Sequence, residues 1–211
     1  QLPLYRCHTL IIGSGAAALN CACHLKEFGH EDLLVVTERL GGGVSNNSGS
    51  DKQTYYKLSL GGDGADSVVE MARTLFAGGG MQGDIALIEA ALSTHNKYGE
   101  YVGYKTDHDP KQRAISAGPW TSNQMYEKLL KHSQQLAVPF LDHHEVISLL
   151  TTTATERKVI GAVAIDKTKL DQGKAALVFF QAENIVMGTG GPGGLYEAPG
   201  LLLRQVLRQL I

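Results

Sequence analysis

The stretch TLIIGSGAAALNCACHLKEFG, from Thr9 to Gly29, decides the fold because it joins an apolar strand to a helix through a glycine turn. Residues 8–12 form a short β-favouring run, and residues 16–29 predict a helix that Gly29 ends. A second apolar run at residues 32–38 follows directly. A strand, a tight turn, a helix and a second strand in this order predict a βαβ unit with parallel strands.

The glycine turn has the Gly-x-Gly-x-x-Ala spacing that is typical of dinucleotide-binding units. Gly13 permits the tight turn, and Gly15 lets a pyrophosphate approach the backbone at the helix N-terminus. Ala18 replaces the third glycine, where the helix packs closely on the strand, and Glu38 ends the second strand, where an acid accepts hydrogen bonds from a ribose. We therefore predict a nucleotide site rather than a plain turn with a surface glutamate. Its predicted contacts are Gly13, Gly15, Ala16, Ala17, Ala18, Glu38 and Arg39.

These residues alone leave open which nucleotide the site binds. Glu38 would repel a 2′-phosphate, which disfavours NADP, although Arg39 directly after it weakens that repulsion. NAD and FAD both remain as alternatives at this point.

Residues 41–51, GGGVSNNSGSD, form a long loop of small residues where NAD-dependent folds usually proceed to another helix. With the preceding βαβ unit, this loop resembles the FAD-binding family of succinate dehydrogenase and fumarate reductase flavoproteins, L-aspartate oxidase and ketosteroid dehydrogenases. The resemblance implies that the loop wraps the pyrophosphate and the flavin. The loop has no histidine, the residue through which some members attach FAD covalently, so non-covalent FAD is expected. The matching residues are Gly42, Gly43, Ser45, Asn46, Ser48 and Gly49.

The middle of the chain predicts helices. Residues 66–76 and 84–93 read as two amphipathic helices, each begun by an aspartate suited to N-capping. Residues 95–120 are polar and predict a loop or hairpin region, and Thr121–Gln124 predicts a capping box for a helix that continues to about Leu136.

From Val138 onward the period changes to that of strands. Residues 140–150, 158–166 and 176–184 predict an antiparallel β-meander, and residues 184–191, NIVMGTGG, predict a buried strand that ends in a glycine turn. The charged residues between 167 and 174 predict a solvated hairpin tip. The family resemblance implies that the backbone of Val146 meets the adenine. It also implies that the last turn, with Gly188, Thr189, Gly190 and Gly191, contacts the cofactor.

The predicted fold is therefore α/β: a Rossmann-like FAD-binding domain with a central parallel sheet, an antiparallel β-meander and an incomplete capping domain. The FAD-binding domain is expected to be discontinuous, with residues 1–65 and 118–211, and residues 66–117 are expected to be a remnant of a capping or helical region. In the resembled family the catalytic arginines and histidines follow the Thr-Gly-Gly turn, so we nominate no catalytic residue. We expect the 211 residues to be ordered pieces of a longer chain.

The predicted function is that of an FAD-dependent oxidoreductase. The resemblance implies hydride transfer between flavin N5 and a small, dicarboxylate-like substrate, and it admits an electron-transfer protein as a partner. Two alternatives remain: a nucleotide-binding fragment or FAD-binding module without redox chemistry, and an NAD-dependent dehydrogenase.

Composition excludes several other classes. The net charge of −2, with acids and bases interspersed, argues against a nucleic-acid surface, and no apolar stretch approaches the length of a membrane span. We expect a cytoplasmic protein. This expectation is provisional because Gln1 is not an initiator methionine. Cys7, Cys21 and Cys23 suit neither a disulfide framework nor a metal site and are expected to be buried free thiols.

Three further groups of residues resemble catalytic or metal-binding patterns but favour ordinary structural roles. Tyr101 and Lys105 have the spacing of short-chain dehydrogenases, but the glycine between them indicates a turn rather than one helical face. Residues 107–109, Asp-His-Asp, precede a proline and predict a solvated loop. His143 and His144 are neighbours in a predicted strand and should face opposite sides, so we expect no metal site.

Overall fold

The structure of the protein is a computed structural model, which describes residues 2–49, 55–56, 58, 66–78, 82–93, 111, 113–153, 156–170, 172 and 175–191. The chain separates into two units, one of residues 1–48 with 126–211 and one of residues 49–125. Tyr101, Lys105 and residues 107–109 lie outside the described residues.

In chain order the elements are β1 (Leu4–Ile12), α1 (Ala16–Glu27), β2 (Leu33–Val36), α2 (Val44–Asn47), β3 (Tyr55–Tyr56), α3 (Val68–Ala77), α4 (Gly83–Ser93), β4 (Ala114–Ile115), a 3-10 helix (Gly118–Trp120), α5 (Thr121–Gln135), β5 (Phe140–Leu141), β6 (His144–Thr151), β7 (Val159–Asp166), α6 (Lys167–Leu170) and β8 (Leu177–Met187).

The first unit is built on one six-stranded sheet with the order β5-β2-β1-β8-β7-β6. The first four strands in this order are parallel, and β7 and β6 extend the sheet in antiparallel pairing. This confirms the α/β fold with a parallel sheet and an antiparallel part. Because β1 pairs with β2 on one side and β8 on the other, Ile12 lies opposite both Val36 and Met187. The chain segments that follow these three strands therefore meet at the same edge of the sheet.

Two predicted strand boundaries were wrong. Residues 177–187 form one continuous strand, where the sequence predicted a third meander strand and a separate final strand. The strand β8 serves both purposes because it pairs with β7 on one side and β1 on the other. Residues 140–150 are instead divided, because His143 has a positive φ of 59° that interrupts the extended backbone between β5 and β6.

The sheet buries apolar residues on both faces. One face carries Leu10 and Phe180, which pack with alanines and valines of β7 and β8, and both side chains are fully buried. On the other face, Ile11 and Val35 pack with Ala18 of α1. Burial of a large aliphatic side chain such as Ile11 or Val35 contributes about 1.5–3 kcal/mol. Because successive side chains of β1 point to opposite faces of the sheet, Ile11 is placed to pack against α1.

The second unit contains α3, α4 and the two-stranded ladder of β3 and β4. Its core is formed by Met71 and Ala72 of α3 with Ala86 and Ala90 of α4. The prediction that Asp66 caps α3 was wrong: Ser67 is the N-cap, and its hydroxyl accepts the Glu70 N–H at 3.1 Å. The Asp66 carboxylate instead accepts hydrogen bonds from Arg113.

In the parts of the chain that the structure describes, no helix has the length and apolarity that crossing a bilayer requires. Among the same residues, no group of three or more histidine, cysteine, aspartate or glutamate side chains is placed to hold a metal ion. Cys7, Cys21 and Cys23 are free, and burial raises the pKa of Cys7 and Cys23 to about 11. Their thiols are therefore poor nucleophiles at neutral pH.

Candidate functional site

Two glycine turns from opposite ends of the described chain meet at the edge of the sheet. Gly13 follows β1 with φ of 103°, and a Cβ added there would lie 2.3 Å from the Gly188 carbonyl oxygen. The Gly188 N–H donates to the Ile12 carbonyl at 2.8 Å. A Cβ on Gly188 would in turn lie 2.6 Å from the Ala18 Cβ. Gly13, Ala18 and Gly188 therefore have to be small for the two turns to pack.

The first of these turns leads into the N-terminus of α1. Gly15 is the N-cap, without a side-chain capping hydrogen bond, and the first turn carries no acidic residue. The Ala16 N–H donates to the Ser45 hydroxyl oxygen at 3.1 Å. The partial positive charge of this helix end therefore faces Ser45 at a position that suits an anionic oxygen.

The loop after β2 is held by its own side chains. The amide nitrogens of Asn46 and Asn47 donate to the Gly41 carbonyl at 2.9 and 2.6 Å, and the Ser48 hydroxyl donates to the Val44 carbonyl. The residue before Gly41, Leu40, donates its N–H to the Asp142 carboxylate at 2.8 Å. These bonds fold the loop into the single turn of α2 and tie its start to the connection between β5 and β6.

A cleft of about 690 Å³ lies between the glycine turns and this loop, within the size range of small-molecule and cofactor sites. It is lined by Ile12, Gly13, Ser14, Gly15, Val36, Thr37, Glu38, Arg39, Gly42, Gly43, Val44, Ser45, Asn47, His143, His144, Glu145, Val146, Lys167, Gly188, Thr189, Gly190 and Gly191. All of these residues belong to the first unit.

The predicted contacts divide into two groups. Those that line the cleft are Gly13, Gly15, Glu38, Arg39, Gly42, Gly43, Ser45, Val146, Gly188, Thr189, Gly190 and Gly191. Those that do not are Ala16, Ala17, Ala18, Asn46, Ser48 and Gly49. In the second group Ala18 is buried against the sheet, and Asn46 and Ser48 bond to loop carbonyls. Gly49 belongs to the second unit, where an added Cβ would lie 2.2 Å from the Pro119 carbonyl oxygen.

The sequence did not single out Ser14 and Thr37. Their hydroxyl oxygens are 2.9 Å apart and both residues are buried, so they join the glycine turn after β1 to the end of β2. Both are small hydroxyl residues beside a predicted ligand-binding turn, which is the signal that could have identified them.

His143 and His144 were expected to be neighbours in one strand, and this was wrong, because the positive φ of His143 places it before the start of β6. Both residues line the cleft, but the His143 side chain is exposed and that of His144 is buried. The ring of His144 is buried, with Nδ1 2.6 Å from the Asp142 carbonyl and Nε2 3.8 Å from Asp166 Oδ2.

Residues 167–174 were predicted as a solvated hairpin tip, but Lys167 lines the cleft. The lysine begins α6, and its Nζ is 2.6 Å from Glu38 Oε1 and 3.8 Å from Glu145 Oε2. The preceding Asp166 accepts the Thr168 hydroxyl at 2.6 Å, which, together with the nearby Lys169 and His144, lowers the pKa of Asp166 to about 2 against the opposing effect of burial. An aspartate that stays ionised in this way holds the start of α6 in place.

Beneath the loop, Tyr126 supplies a test of its packing. Its hydroxyl is buried, lies near Gly41 and makes no hydrogen bond of ordinary geometry with the described residues. We expect Tyr126→Phe to leave the free energy of unfolding unchanged or to raise it by up to about 1 kcal/mol, because an unpaired buried hydroxyl is removed. Urea unfolding measures the change, with Tyr5→Phe, at a partly exposed ring, as the control. A loss of stability in Tyr126→Phe alone would show that the hydroxyl has a partner.

Comparison of the sequence with known families finds a match over residues 8–100 to the family described as FAD binding domain. No curated protein matches the chain.

The fold is similar to that of several solved structures at low sequence identity. A variant of Escherichia coli quinol fumarate reductase FrdA matches with a TM-score of 0.70 and 19% identity, covering 92% of this chain and 34% of that chain. Mycobacterium smegmatis Sdh1 matches with a TM-score of 0.67 and 19% identity over 91% and 35% of the two chains. A 3-ketosteroid dehydrogenase from Rhodococcus jostii matches with a TM-score of 0.65 and 16% identity over 90% and 47%. The chain thus spans between about a third and a half of the length of these proteins.

Proposed function

We propose that this chain, whose residues 8–100 match the FAD binding domain family, is the cofactor-holding part of an FAD-dependent oxidoreductase of the fumarate reductase and succinate dehydrogenase type. The family match indicates FAD as the cofactor. The observation that carries the proposal is the cleft between the two glycine turns, which lies at the N-terminus of α1 and at the carboxyl ends of parallel strands. Ligands of open α/β sheets bind at this edge.

The residues present fit FAD. Gly43 and Gly191 line the cleft, and a Cβ added at either would meet no atom of the described residues within 4 Å, so packing within the described part of the chain requires neither glycine. Glycine at such positions leaves room for a ligand beside the backbone. The N-terminus of α1, whose N-cap residue Gly15 has no capping side chain, suits a pyrophosphate, and Glu38 supplies carboxylate oxygens for a ribose.

Each part of the cleft has a proposed task. The N-terminus of α1 and the Ser45 hydroxyl bind and orient the pyrophosphate. Glu38 accepts the ribose hydroxyls, and the backbone of Val146 meets the adenine. The loop from Gly42 to Asn47 and the turn from Gly188 to Gly191 cover the cofactor and exclude water from it. We propose residues 1–65 and 118–211 as the FAD-binding domain and residues 66–117 as a remnant of a capping region.

When bound, FAD supplies hydride transfer at flavin N5, and the protein supplies position and electrostatics. The proposed substrate is a small, dicarboxylate-like molecule, and the proposed partner is an electron-transfer protein. Support for this choice comes from the fumarate reductase and Sdh1 chains, which share the fold.

Anaerobic flavin spectroscopy tests the proposal. The full-length protein is loaded with FAD, freed of excess cofactor and mixed with succinate, or reduced by a dye and mixed with fumarate. We expect the flavin absorbance to bleach with succinate or to recover with fumarate, faster than for free FAD under the same conditions. We also expect acid to release the flavin, because no covalent bond is proposed. Bound flavin that responds to neither dicarboxylate would favour an FAD-binding module, and nicotinamide binding without flavin would favour an NAD-dependent enzyme.

A further inference from the structure

The part of the cleft around Glu38, which is proposed above to hold the adenosine, contains an ion pair. A glutamate that binds a ribose does not by itself require such a pair. Lys167 Nζ lies 2.6 Å from Glu38 Oε1, and the second carboxylate, Glu145 Oε2, lies 3.8 Å from the same nitrogen. All three residues line the cleft, and they come from the segment that follows β2, from β6 and from the start of α6.

The backbone of Lys167 is held more firmly than its partly exposed side chain suggests. Its N–H donates to the His143 carbonyl at 2.9 Å, which ties the start of α6 to the connection before β6. The neighbouring Asp166 is buried and accepts both the backbone N–H and the hydroxyl of Thr168, at 3.1 and 2.6 Å. The ammonium group therefore projects from a fixed point at the rim of the cleft.

The exposed Glu38 side chain, in contrast, depends on its partner for its position. It is 55% exposed, so without Lys167 its carboxylate would sample several rotamers. An ionised carboxylate has about four acceptor sites, and Lys167 Nζ lies on one oxygen only. The other oxygen, Oε2, keeps the capacity to accept hydrogen bonds from a ribose.

We propose that Lys167 is a positioning residue for nucleotide binding: it fixes the Glu38 carboxylate for the ribose hydroxyls. This inference rests on the proposed FAD site and adds a residue that the glycine-turn pattern does not contain. Lys167 acts through Glu38, so its effect is confined to ligands that contain adenosine.

The chain contains a matched control. Lys169 lies on the same helix, and its side chain is 38% exposed against 39% for Lys167. It also pairs with an acid, Asp166 Oδ2, at 3.1 Å, but it does not line the cleft. Lys169→Met therefore removes the same charge from the same helix without touching Glu38.

Equilibrium titrations with FAD, ADP and FMN, followed by flavin fluorescence or calorimetry, test the inference. For Lys167→Met we expect the Kd of both FAD and ADP to rise about tenfold, the size of one charge-assisted hydrogen bond, with the Kd of FMN unchanged because FMN lacks the adenosine. Lys167→Arg should restore tight binding, and Lys169→Met should bind all three ligands as the unchanged protein does. In the Glu38→Gln background, Lys167→Met should have little further effect, since the two residues act as one unit.

The outcomes separate this inference from the proposed function. Equal ADP affinity in Lys167→Met and the unchanged protein overturns the role of Lys167, as does an equal loss for FMN, and neither result touches FAD binding. ADP binding that depends on Lys167 without any FAD binding supports the inference and contradicts the proposed function. Failure of the unchanged protein to bind either ligand contradicts both.

Discussion

Gly13→Ala is expected to remove detectable FAD binding and to lower the free energy of unfolding by about 3 kcal/mol or more. Two effects combine at this position: a φ of 103°, which L-residues rarely adopt, and a Cβ that would lie 2.3 Å from the Gly188 carbonyl oxygen. The clash is with backbone rather than with a flexible side chain, so the turn at Gly188 has to move. Urea unfolding followed by circular dichroism gives the stability, and flavin fluorescence gives the binding.

Gly43→Ala is the matched control for this change. Gly43 also lines the cleft, but its φ is −76° and an added Cβ would meet none of the atoms that the structure describes within 4 Å. We expect its stability to change by less than about 0.5 kcal/mol, while FAD binding weakens because the Cβ enters space proposed for the ligand. A Gly13→Ala protein as stable as Gly43→Ala would contradict the packing of the two glycine turns.

Arg113→Met should lower the free energy of unfolding of the second unit by about 3–5 kcal/mol, the usual effect of removing one partner of a buried ion pair. Arg113 Nε donates to Asp66 Oδ2 at 2.8 Å, Nη2 donates to Asp66 Oδ1, and Nη1 donates to Thr74 Oγ1 at 2.9 Å. The two charged side chains are 3% and 1% exposed, so the substitution leaves a desolvated carboxylate without its guanidinium. Chemical denaturation measured by circular dichroism determines the loss.

An exposed ion pair on the same unit provides the comparison. Arg73 Nη1 donates to Glu70 Oε1 at 2.8 Å, and these side chains are 73% and 51% exposed. Arg73→Met should change the free energy of unfolding by at most about 0.5 kcal/mol, because water screens the pair. If the two arginine substitutions had equal effects, the burial of the Asp66–Arg113 pair would be refuted.

The parts of the fold that could be predicted are those set by local pattern. The strand, glycine turn and helix from Thr9 to Gly29 lie within one short segment, and their apolar alternation and helix end identify them. The double pairing of β8 could not be read in this way, because its partners β1 and β7 differ widely in sequence distance and only the sheet order brings them together.

The candidate site could likewise be predicted where it depends on a local motif, and could not be predicted where it depends on contacts between distant residues. The residues of the glycine turns carry a recognisable spacing, whereas Lys167 and Glu38 are 129 residues apart and meet only after β6 and β7 have extended the sheet. The two histidines were misassigned because a positive φ at a non-glycine residue has no reliable signal in the sequence. Asp66 was assigned to helix capping for a related reason: its buried partner, Arg113, is 47 residues away.

Titration of the apoprotein with FAD tests the central claim, that the cleft between the two glycine turns holds this cofactor. Binding at one FAD per chain, competed by ADP and weakened in Gly43→Ala without loss of stability, is the predicted result. A folded protein that neither changes flavin fluorescence nor shows heat of FAD binding would contradict the account.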